Sequence, residues 1–373
     1  VERSGRRWTR MNGMNADKAE RNKGHHRWIS KALLPWYREH KRPLPWRETQ
    51  DPYRIWLSEV ILQQTRVEQG RGYWERFVAK YPTVRDLAAA PEGEVLKLWQ
   101  GLGYYSRARN LLAAARQVMS DFGGRFPGTH TELVKLKGVG DYTASAIASI
   151  CFGRADAVVD GNVYRVLARA FGIDTPIDST EGRKRFKELA QELLDRDHPG
   201  DHNQAVMELG ATVCTPKNYT CMLCPLQPKC IAFATGRIEE LPVKAGTTRT
   251  RDRFFNYLHI RTPKGLFLCQ RTGKDIWQGL FELPLIESGK PLKQKDLTAE
   301  LERQFGAGWV VTAQSDEVKH VLSHQIIHAV FWELRPPKGY RPPKDWKAFP
   351  EAALSAVAVP RLIERWLEKK AAG

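Results

Sequence analysis

The segment Leu136–Arg169 limits the possible folds more strongly than any other part of this sequence. Within it, Gly138 and Gly140 flank a valine and supply the permissive backbone positions of a sharp turn. Apolar spacing predicts a helix over Thr131–Leu136 before the turn and an Ala/Ser/Ile-rich helix from Tyr142 onward after it. The segment is therefore predicted to form a helix-hairpin-helix.

The two glycines of the turn, Gly138 and Gly140, would let backbone N–H groups face outward at the start of the second helix, where the helix dipole attracts anions. A DNA phosphate fits such a site without any contact to a base. An ordinary pair of packed helices can use the same turn, so this motif alone leaves both interpretations open.

Asp160 comes directly before the segment Asn162–Leu167, in which apolar residues recur at helical spacing. It is therefore predicted to cap the N-terminus of that helix. Such caps are usually structural, and the local pattern leaves this interpretation open beside a catalytic one.

The glycine turn, followed by an aspartate in the context V-D-G-N-V, resembles the signature of the endonuclease III superfamily of DNA glycosylases. Within that superfamily, the chain from about Trp28 to its C-terminus is most similar to the MutY-type adenine DNA glycosylases, because several separated motifs agree in order and spacing. The resemblance implies that Asp160 is a catalytic carboxylate and that Tyr142 and Asn162 support it and the attacking water. It also implies that the glycine turn contacts the DNA backbone.

The chain carries 59 Lys and Arg residues against 42 Asp and Glu, a formal net charge of +17 spread along 373 residues. This surplus favours a polyanionic partner, and we expect salt-sensitive binding to double-stranded DNA. No apolar run is long enough to span a membrane and no secretory signal is evident, so a soluble intracellular protein is expected. We further expect a bacterial cytoplasmic, nucleoid-associated monomer in which residues 1–23 are disordered.

Glu59 lies within the segment Tyr53–Val67, where apolar residues surround it on nearly every side of a predicted helix. Burial should raise its pKa and keep it protonated near neutral pH. A protonated carboxyl can act as general acid when adenine leaves, since the base departs well only after protonation of a ring nitrogen. The alternative is a buried glutamate paired with an arginine. The residues Gln63–Thr65 are expected to continue this helix.

Two sets of loop residues match positions to which the resemblance assigns contacts with the extruded adenine or the opened duplex. Trp46 would form part of the adenine pocket, and Arg47 would donate hydrogen bonds there. Short loops that carry an amide, an apolar tip and an aromatic ring can wedge into a duplex and fill the space of a flipped nucleotide. The resemblance implies this role for Gln64, Thr65, Leu102 and Tyr104.

Helical patterning dominates the chain up to its cysteine-rich run. The segments predicted as helices include Tyr73–Lys80, Val84–Ala90, Gly93–Gln100, Ala108–Phe122 and Asn203–Val213. The resemblance implies two helical domains: an iron-sulfur domain of residues 24–50 and 153–237, and a six-helix domain of residues 51–152 that carries the hairpin, with the chemistry in the cleft between them. Residues 238–252 lack periodicity and are predicted to be a linker.

Four cysteines lie close together in the sequence, with six, two and five residues between them. Four thiolate ligands indicate zinc or an iron-sulfur cluster. The spacing matches the [4Fe-4S] loop of the superfamily that the chain resembles, which implies a cluster held by Cys214, Cys221, Cys224 and Cys230. Lys217, between the first two, is placed to contact a DNA phosphate.

Residues 253–373 are predicted to form an α+β domain that resembles the Nudix-like C-terminal domain of MutY-type enzymes. The predicted strands are Arg253–Ile260, Gly265–Arg271, Gly279–Leu285, Trp309–Gln314 and Lys319–Leu334, and the predicted helices are Leu297–Phe305 and Glu351–Leu367. The first of these helices lacks the glutamate pattern with which Nudix hydrolases hold Mg²⁺, which favours a recognition module. The resemblance implies that Ser323 and His324 contact 8-oxoguanine.

Together these features predict a monofunctional DNA glycosylase that hydrolyses the N-glycosidic bond of adenine mispaired with 8-oxoguanine or guanine, in base excision repair. Glu59 would protonate adenine, and Asp160 would stay ionised because helix capping is expected to lower its pKa. The resemblance also implies that a bifunctional enzyme of the endonuclease III kind would have a lysine where Tyr142 stands, and tyrosine cannot form an imine. A damage-binding protein without catalysis and a nucleotide-pool hydrolase remain as alternatives.

Overall fold

The computed structural model describes residues 28–246 and 250–372. The segment predicted to be disordered, residues 1–23, lies outside these ranges. The described chain divides into two compact units. The first unit comprises residues 28–64 and 117–246, and the second comprises residues 65–116 and 250–372.

Helices form the regular structure of the described chain before residue 246, which confirms the predicted all-α character of this region. They are α1 (residues 28–40), α2 (Pro52–Leu62), α3 (Val67–Lys80), α4 (Val84–Ala89), α5 (Glu92–Trp99), α6 (Ser106–Asp121), α7 (His130–Leu133), α8 (Asp141–Phe152), α9 (Gly161–Phe171), α10 (Thr180–Leu193), α11 (Pro199–Thr212) and α12 (Ile231–Ala234). Helices α3 to α5 and most of α6 belong to the second unit. Within the described ranges, no helix is both long and apolar enough to cross a membrane.

Two helices end earlier than the sequence pattern predicts. Helix α2 stops at Leu62, because Gln64 has a left-handed backbone with a φ of +56° that cannot continue a right-handed helix. Helix α7 has only four residues, and its last turn tightens into i to i−3 hydrogen bonds, including Leu136 N–H to the carbonyl of Leu133 at 3.1 Å. The glycine turn that follows requires Gly138, whose φ is +76°.

Helix α9 is central to the first unit, where it packs against α10, α11 and α12. Its apolar face buries Val163, Val166 and Leu167 in a shared core with Phe186 of α10 and Leu209 of α11. Helix α8 packs against both α2 and α11. These contacts fix the positions of the helix ends that carry the predicted site residues.

The C-terminal part of the second unit is an α+β domain, as predicted, built on an eight-stranded mixed sheet. Its strands are β1 (Arg251–Thr262), β2 (Gly265–Gln270), β3 (Phe281–Glu282), β4 (Leu285–Ser288), β5 (Val310–Gln314), β6 (Val318–Val321), β7 (Gln325–Arg335) and β8 (Trp346–Phe349). Strands β1 and β7 are parallel, and the other pairs are antiparallel. The helices are α13 (Gln294–Phe305), α14 (Glu351–Leu354) and α15 (Arg361–Ala372), and Trp366 of α15 stacks on Phe331 of β7 at 4.3 Å between ring centroids.

Three elements that the sequence pattern predicts as continuous are interrupted in this domain. The strand predicted over Gly279–Leu285 is split into β3 and β4, because Pro284 has no N–H to donate to a neighbouring strand. The strand predicted over Lys319–Leu334 is a hairpin, closed by a hydrogen bond of 2.8 Å from Leu322 N–H to the carbonyl of Gln325. The last predicted helix is split into α14 and α15, with Pro360 just before the second.

The close approach of α11 to α9 generates a stability prediction. A Cβ atom added to Gly210 would lie 2.6 Å from Cβ of Asn162, whereas one added to Gly161 meets open space. Gly210→Ala should therefore lower the free energy of unfolding by about 1–3 kcal/mol through overpacking, and Gly161→Ala should change it by less than about 1 kcal/mol. Thermal denaturation followed by circular dichroism measures both, and equal shifts for the two variants would contradict this packing.

Candidate active site

Glu59 of α2, Tyr142 of α8 and Asp160 at the start of α9 share one site within the first unit. The Tyr142 hydroxyl lies within hydrogen-bonding reach of the Glu59 carboxyl and is also 3.4 Å from Sδ of Met207. Burial, reinforced by the charges of Glu59 and Asp160, raises the pKa of Tyr142 well above its usual value. All three side chains are half-buried, so solvent or a ligand still reaches them. The structure therefore brings together the two acids that the sequence analysis paired.

The carboxyl of Glu59 has a pKa suited to proton donation near neutral pH. The net pKa is about 7, above the usual 4.5: burial raises it most, the hydrogen bond with Tyr142 lowers it, and the charge of Asp160 raises it. Arg47 adds a further lowering effect through its positive charge. The rise that the apolar sequence around Glu59 predicts is thus present, and its main cause is desolvation.

Asp160 caps α9 as predicted. Its Oδ1 accepts a hydrogen bond from Val163 N–H at 2.7 Å, and its Oδ2 accepts one from Nδ2 of Asn162 at 2.8 Å. The prediction that capping lowers its pKa is wrong, because burial raises the pKa of Asp160 more than these hydrogen bonds and the charge of Arg165 lower it. These hydrogen bonds nevertheless favour the ionised form of Asp160.

Arg165, which the sequence analysis missed, connects this capped aspartate to the cysteine-rich loop. Its guanidinium donates to Oδ1 of Asn162 at 2.8 Å and to the carbonyls of Gly210 and Cys214, both at 2.7 Å. Asn162 in turn holds Asp160. The available signal was a pair of arginines, Arg165 and Arg169, one helical turn apart among the apolar residues of α9.

The four clustered cysteines line one pocket with Arg169 and several apolar side chains. Arg169 lies 3.5 Å from Sγ of Cys214 and donates to the carbonyl of Thr215 at 2.8 Å. All six cysteines of the chain are free thiols. Among the described residues, no group of three or more His, Cys, Asp or Glu side chains is arranged to hold a single metal ion. Lys217 is exposed on the same loop.

Glu208 of α11 is a second residue that the sequence analysis missed. Its fully buried side chain accepts hydrogen bonds from the backbone and guanidinium of Arg42, and from Arg47 at 2.6 Å. Burial alone would raise its pKa, but these hydrogen bonds lower the pKa of Glu208 to about 2. Arg47 is therefore held in place by an ion pair, beside the buried side chain of Trp46.

The glycine turn presents the start of α8 without a side-chain cap, because its N-cap residue is Gly140. Gly140 itself has an ordinary backbone conformation, with a φ of −92°. The first residue of the helix, Asp141, pairs with Lys187 at 2.5 Å and with His130 at 2.9 Å. The negative charge of Asp141 is therefore balanced at the predicted phosphate position.

The residues predicted to contact the duplex and the base opposite adenine lie mostly in the second unit. Gln64 and Tyr104 are exposed, whereas Leu102 is buried in this structure. Arg107 donates to Thr65 at 3.5 Å and to the carbonyl of Leu102 at 3.3 Å. Ser323 and His324 are exposed in the turn between β6 and β7, where the Ser323 hydroxyl is hydrogen-bonded to that of Tyr104.

Comparisons with known proteins agree with this architecture. Residues 57–192 match the HhH-GPD superfamily of base excision DNA repair proteins, and residues 256–369 match the NUDIX domain. An adenine DNA glycosylase of Mus musculus is 37% identical over 385 residues, which cover 87% of this chain and 75% of that protein. One of Homo sapiens is 38% identical over 350 residues, covering 79% and 64%. The solved structure of a thermostable thymine-DNA glycosylase has a TM-score of 0.52 and 30% identity, covering 58% of this chain and 98% of that one.

The buried ion pairs of Glu208 generate a prediction about acid stability. Glu208→Gln should lower the free energy of unfolding by about 3 kcal/mol at neutral pH, because it leaves two arginines facing a neutral side chain in the interior. The folded pKa of about 2 lies below the usual 4.5, so the stabilisation is complete above pH 4.5 and is lost as the pH falls toward 2.

Urea denaturation at several pH values measures this difference. Glu240→Gln, which removes an exposed partner of Arg237 in the same unit, is the matched control and should change stability by less than about 1 kcal/mol. A Glu208→Gln variant as stable as this control would contradict the buried ion pairs.

Proposed function

Because the chain belongs to the adenine DNA glycosylase family, we propose that it excises adenine mispaired with 8-oxoguanine or guanine from double-stranded DNA in base excision repair. The observation that carries this proposal is the shared site of Glu59, Tyr142 and Asp160. A binding protein would have no need for a carboxylic acid whose pKa is about 7 beside a second carboxylate.

In the proposed reaction, Glu59 donates its proton to a ring nitrogen of adenine, most directly N7, and the C1′–N9 bond breaks with both electrons on the base. The sugar develops positive charge, which the carboxylate of Asp160 stabilises. At roughly 4 Å and an effective dielectric near 20, such a charge pair contributes about 4 kcal/mol, or about a thousandfold in rate. Water then adds to C1′ and loses one proton to a carboxylate of the site, which leaves a hydroxyl on the sugar, while Asn162 and Tyr142 position Asp160 and the attacking water.

Some of the remaining site residues are proposed to contact a base, and the others are proposed to contact the DNA strands. We assign the adenine pocket to Trp46 and Arg47, because the ion pair with Glu208 holds this loop rigid. The backbone contacts are assigned to Gly138, Gly140 and Lys217, the wedge to Gln64, Thr65, Leu102 and Tyr104, and the contacts with 8-oxoguanine to Ser323 and His324. The exposed Tyr104 ring supports the wedge directly, whereas Leu102 would have to leave its buried position.

The four clustered cysteines fit a [4Fe-4S] cluster better than zinc. The spacing of six, two and five residues matches the [4Fe-4S] loop of the superfamily, whereas structural zinc sites usually use two separated short knuckles, and all four thiols line one pocket. A cluster bound there would tie together the loop that Arg165 and Arg169 hold against α9. Analysis of iron and acid-labile sulfide in the purified protein tests this assignment, and stoichiometric zinc without iron would refute it.

We further propose that the enzyme is monofunctional, because Tyr142 occupies the position at which a lyase needs a lysine. The phenol of Tyr142 forms no imine with the sugar. Strand cleavage should therefore require alkali. A strong covalent band after borohydride treatment of the protein on abasic DNA would instead indicate a lyase.

The proposed function is tested with duplexes containing A opposite 8-oxoguanine, A opposite guanine, or thymine glycol. Only the adenine duplexes should gain alkali-labile sites, and A opposite 8-oxoguanine should react faster. Asp160→Asn should slow single-turnover cleavage by about a thousandfold while DNA binding persists. Glu240→Gln serves as the unaffected control. Binding without any abasic product, or a loss of less than tenfold in Asp160→Asn, would overturn the proposal.

A further inference from the structure

Arg253 of β1 uses all five of its guanidinium N–H donors, and one of them goes to Gln325. Nε and Nη2 donate to the two carboxylate oxygens of Glu287, at 2.7 and 2.6 Å. Nη1 and Nη2 donate to the carboxylate of Asp275, at 3.0 and 2.7 Å. The fifth donor, on Nη1, reaches Oε1 of Gln325 at 2.9 Å. Because Arg253 is only 6% exposed, these bonds hold its side chain in one position.

The contact with Arg253 fixes the orientation of the Gln325 amide. A guanidinium has donors and no acceptor, so only the oxygen of the amide can face Arg253. The NH2 group then points the other way. Within the described part of the chain no acceptor meets this NH2 group, and it is not among the buried polar atoms that lack a partner. Gln325 is half-buried and presents these two donors to solvent.

Gln325 begins β7, directly after the exposed turn that carries Ser323 and His324. Two backbone hydrogen bonds hold this turn on the sheet. Leu322 N–H donates to the carbonyl of Gln325 at 2.8 Å, and Arg251 N–H donates to the carbonyl of His324 at 3.1 Å. The amide donors of Gln325 are therefore held beside the residues assigned to the base opposite adenine.

The two acids that share Arg253 with Gln325 are themselves paired. Asp275 pairs with Arg253 and with Arg271, both at 2.7 Å. Glu287 pairs with Arg253 at 2.6 Å and lies 3.9 Å from the guanidinium of Arg251. Neither carboxylate is left unpaired to repel an anion that approaches the amide.

An amide held in this way cannot recognise a base by the usual pair of contacts. Glutamine reads adenine through its oxygen and its nitrogen together, and here Arg253 occupies the oxygen. The NH2 group needs an acceptor, and DNA offers phosphate oxygens at every nucleotide. Two exposed cations favour a phosphate: Arg251, which is the β1 residue paired with Gln325, and Lys274, in the loop before β3.

We propose that Gln325 binds a backbone phosphate of the DNA strand that carries the base opposite adenine. Its Nε2 donates to a phosphate oxygen while Arg253 holds its Oε1, and Arg251 and Lys274 supply positive charge. The inference rests on the proposed function, because it takes DNA as the ligand. It deepens that function by adding a contact that contributes affinity and does not select the base.

Gln325→Glu is the sharpest test, because a carboxylate still accepts from Arg253 and replaces the two donors with a negative charge. We expect this variant to unfold at the temperature of its parent, so that weaker binding does not reflect lost folding. Binding is measured in Asp160→Asn, which prevents cleavage. The Kd for duplex DNA should rise by more than about tenfold.

Gln325→Leu removes the donors without adding a charge. The Kd should rise about tenfold, the low end of the range for a hydrogen bond to a charged group. The loss should be the same for A opposite 8-oxoguanine and A opposite guanine, because a phosphate is identical in both duplexes. Gln294→Glu makes the same charge change as Gln325→Glu at an exposed position of α13, and this control should bind within about twofold of its parent.

Salt dependence separates the neutral amide from its charged neighbours. Gln325→Leu should leave the slope of log Kd against log salt concentration unchanged, because a neutral donor displaces no counterion. Arg251→Gln should reduce the magnitude of this slope by about one. A slope that falls equally in both variants would contradict the neutral contact.

A methylphosphonate scan of the strand that carries 8-oxoguanine locates the phosphate. At the contacted position, replacing an anionic oxygen with a methyl group should weaken binding when Gln325 is present. The same replacement should have a smaller effect in Gln325→Leu, because the two changes remove one interaction. At the other positions the scan should give equal effects with and without Gln325.

The outcomes separate this inference from the proposed function. Binding without cleavage of the adenine duplexes would overturn the proposed function, and the binding measurements would still decide the role of Gln325. If the protein cleaves these duplexes, the role of Gln325 alone is overturned by any of three results. These are Gln325 variants that bind within about twofold of their parent, a loss confined to 8-oxoguanine, and a scan in which no phosphate couples to Gln325. A protein that binds no duplex would overturn both.

Discussion

The site depends on the desolvation of one carboxyl group, that of Glu59. Apolar residues of α2 remove it from water, and the charge of Asp160 further opposes its ionisation. Tyr142 limits the effect through a hydrogen bond, so the pKa comes to about 7 and the proton remains transferable. The same burial raises the pKa of Asp160, whose ionised form has backbone and side-chain donors to hold it.

The packing of helices in the first unit brings Glu59, Tyr142 and Asp160 together. Helix α8 packs on α2, which brings Tyr142 to Glu59, and α9 packs on α11, which sets Asp160 beside both. Arg165 extends the arrangement to the cysteine-rich loop, through Asn162 on one side and the carbonyl of Cys214 on the other. A disturbance at the cysteines would therefore reach Asp160 through side chains that touch one another.

Features that depend on local sequence were predictable. The apolar surroundings of Glu59, the capping role of Asp160 and the glycine turn follow from residues within a few positions of one another, and the structure contains all three. Features that depend on pairing between distant residues could not be predicted from the sequence. Glu208 meets Arg42 across 166 positions, and no periodic pattern marks such an ion pair. The pKa of Asp160 was predicted in the wrong direction, because capping is visible in sequence and burial by other helices is not.

The pH dependence of adenine excision tests the central claim most directly. With protein below its dissociation constant for DNA, the rate reports the pKa of the free protein. We expect excision to slow by about tenfold per pH unit above about pH 7, as Glu59 loses its proton, and Glu59→Gln to lose activity at every pH. A rate that stays constant from about pH 6 to 9, or substantial activity in Glu59→Gln, would contradict the assignment of Glu59 as the proton donor.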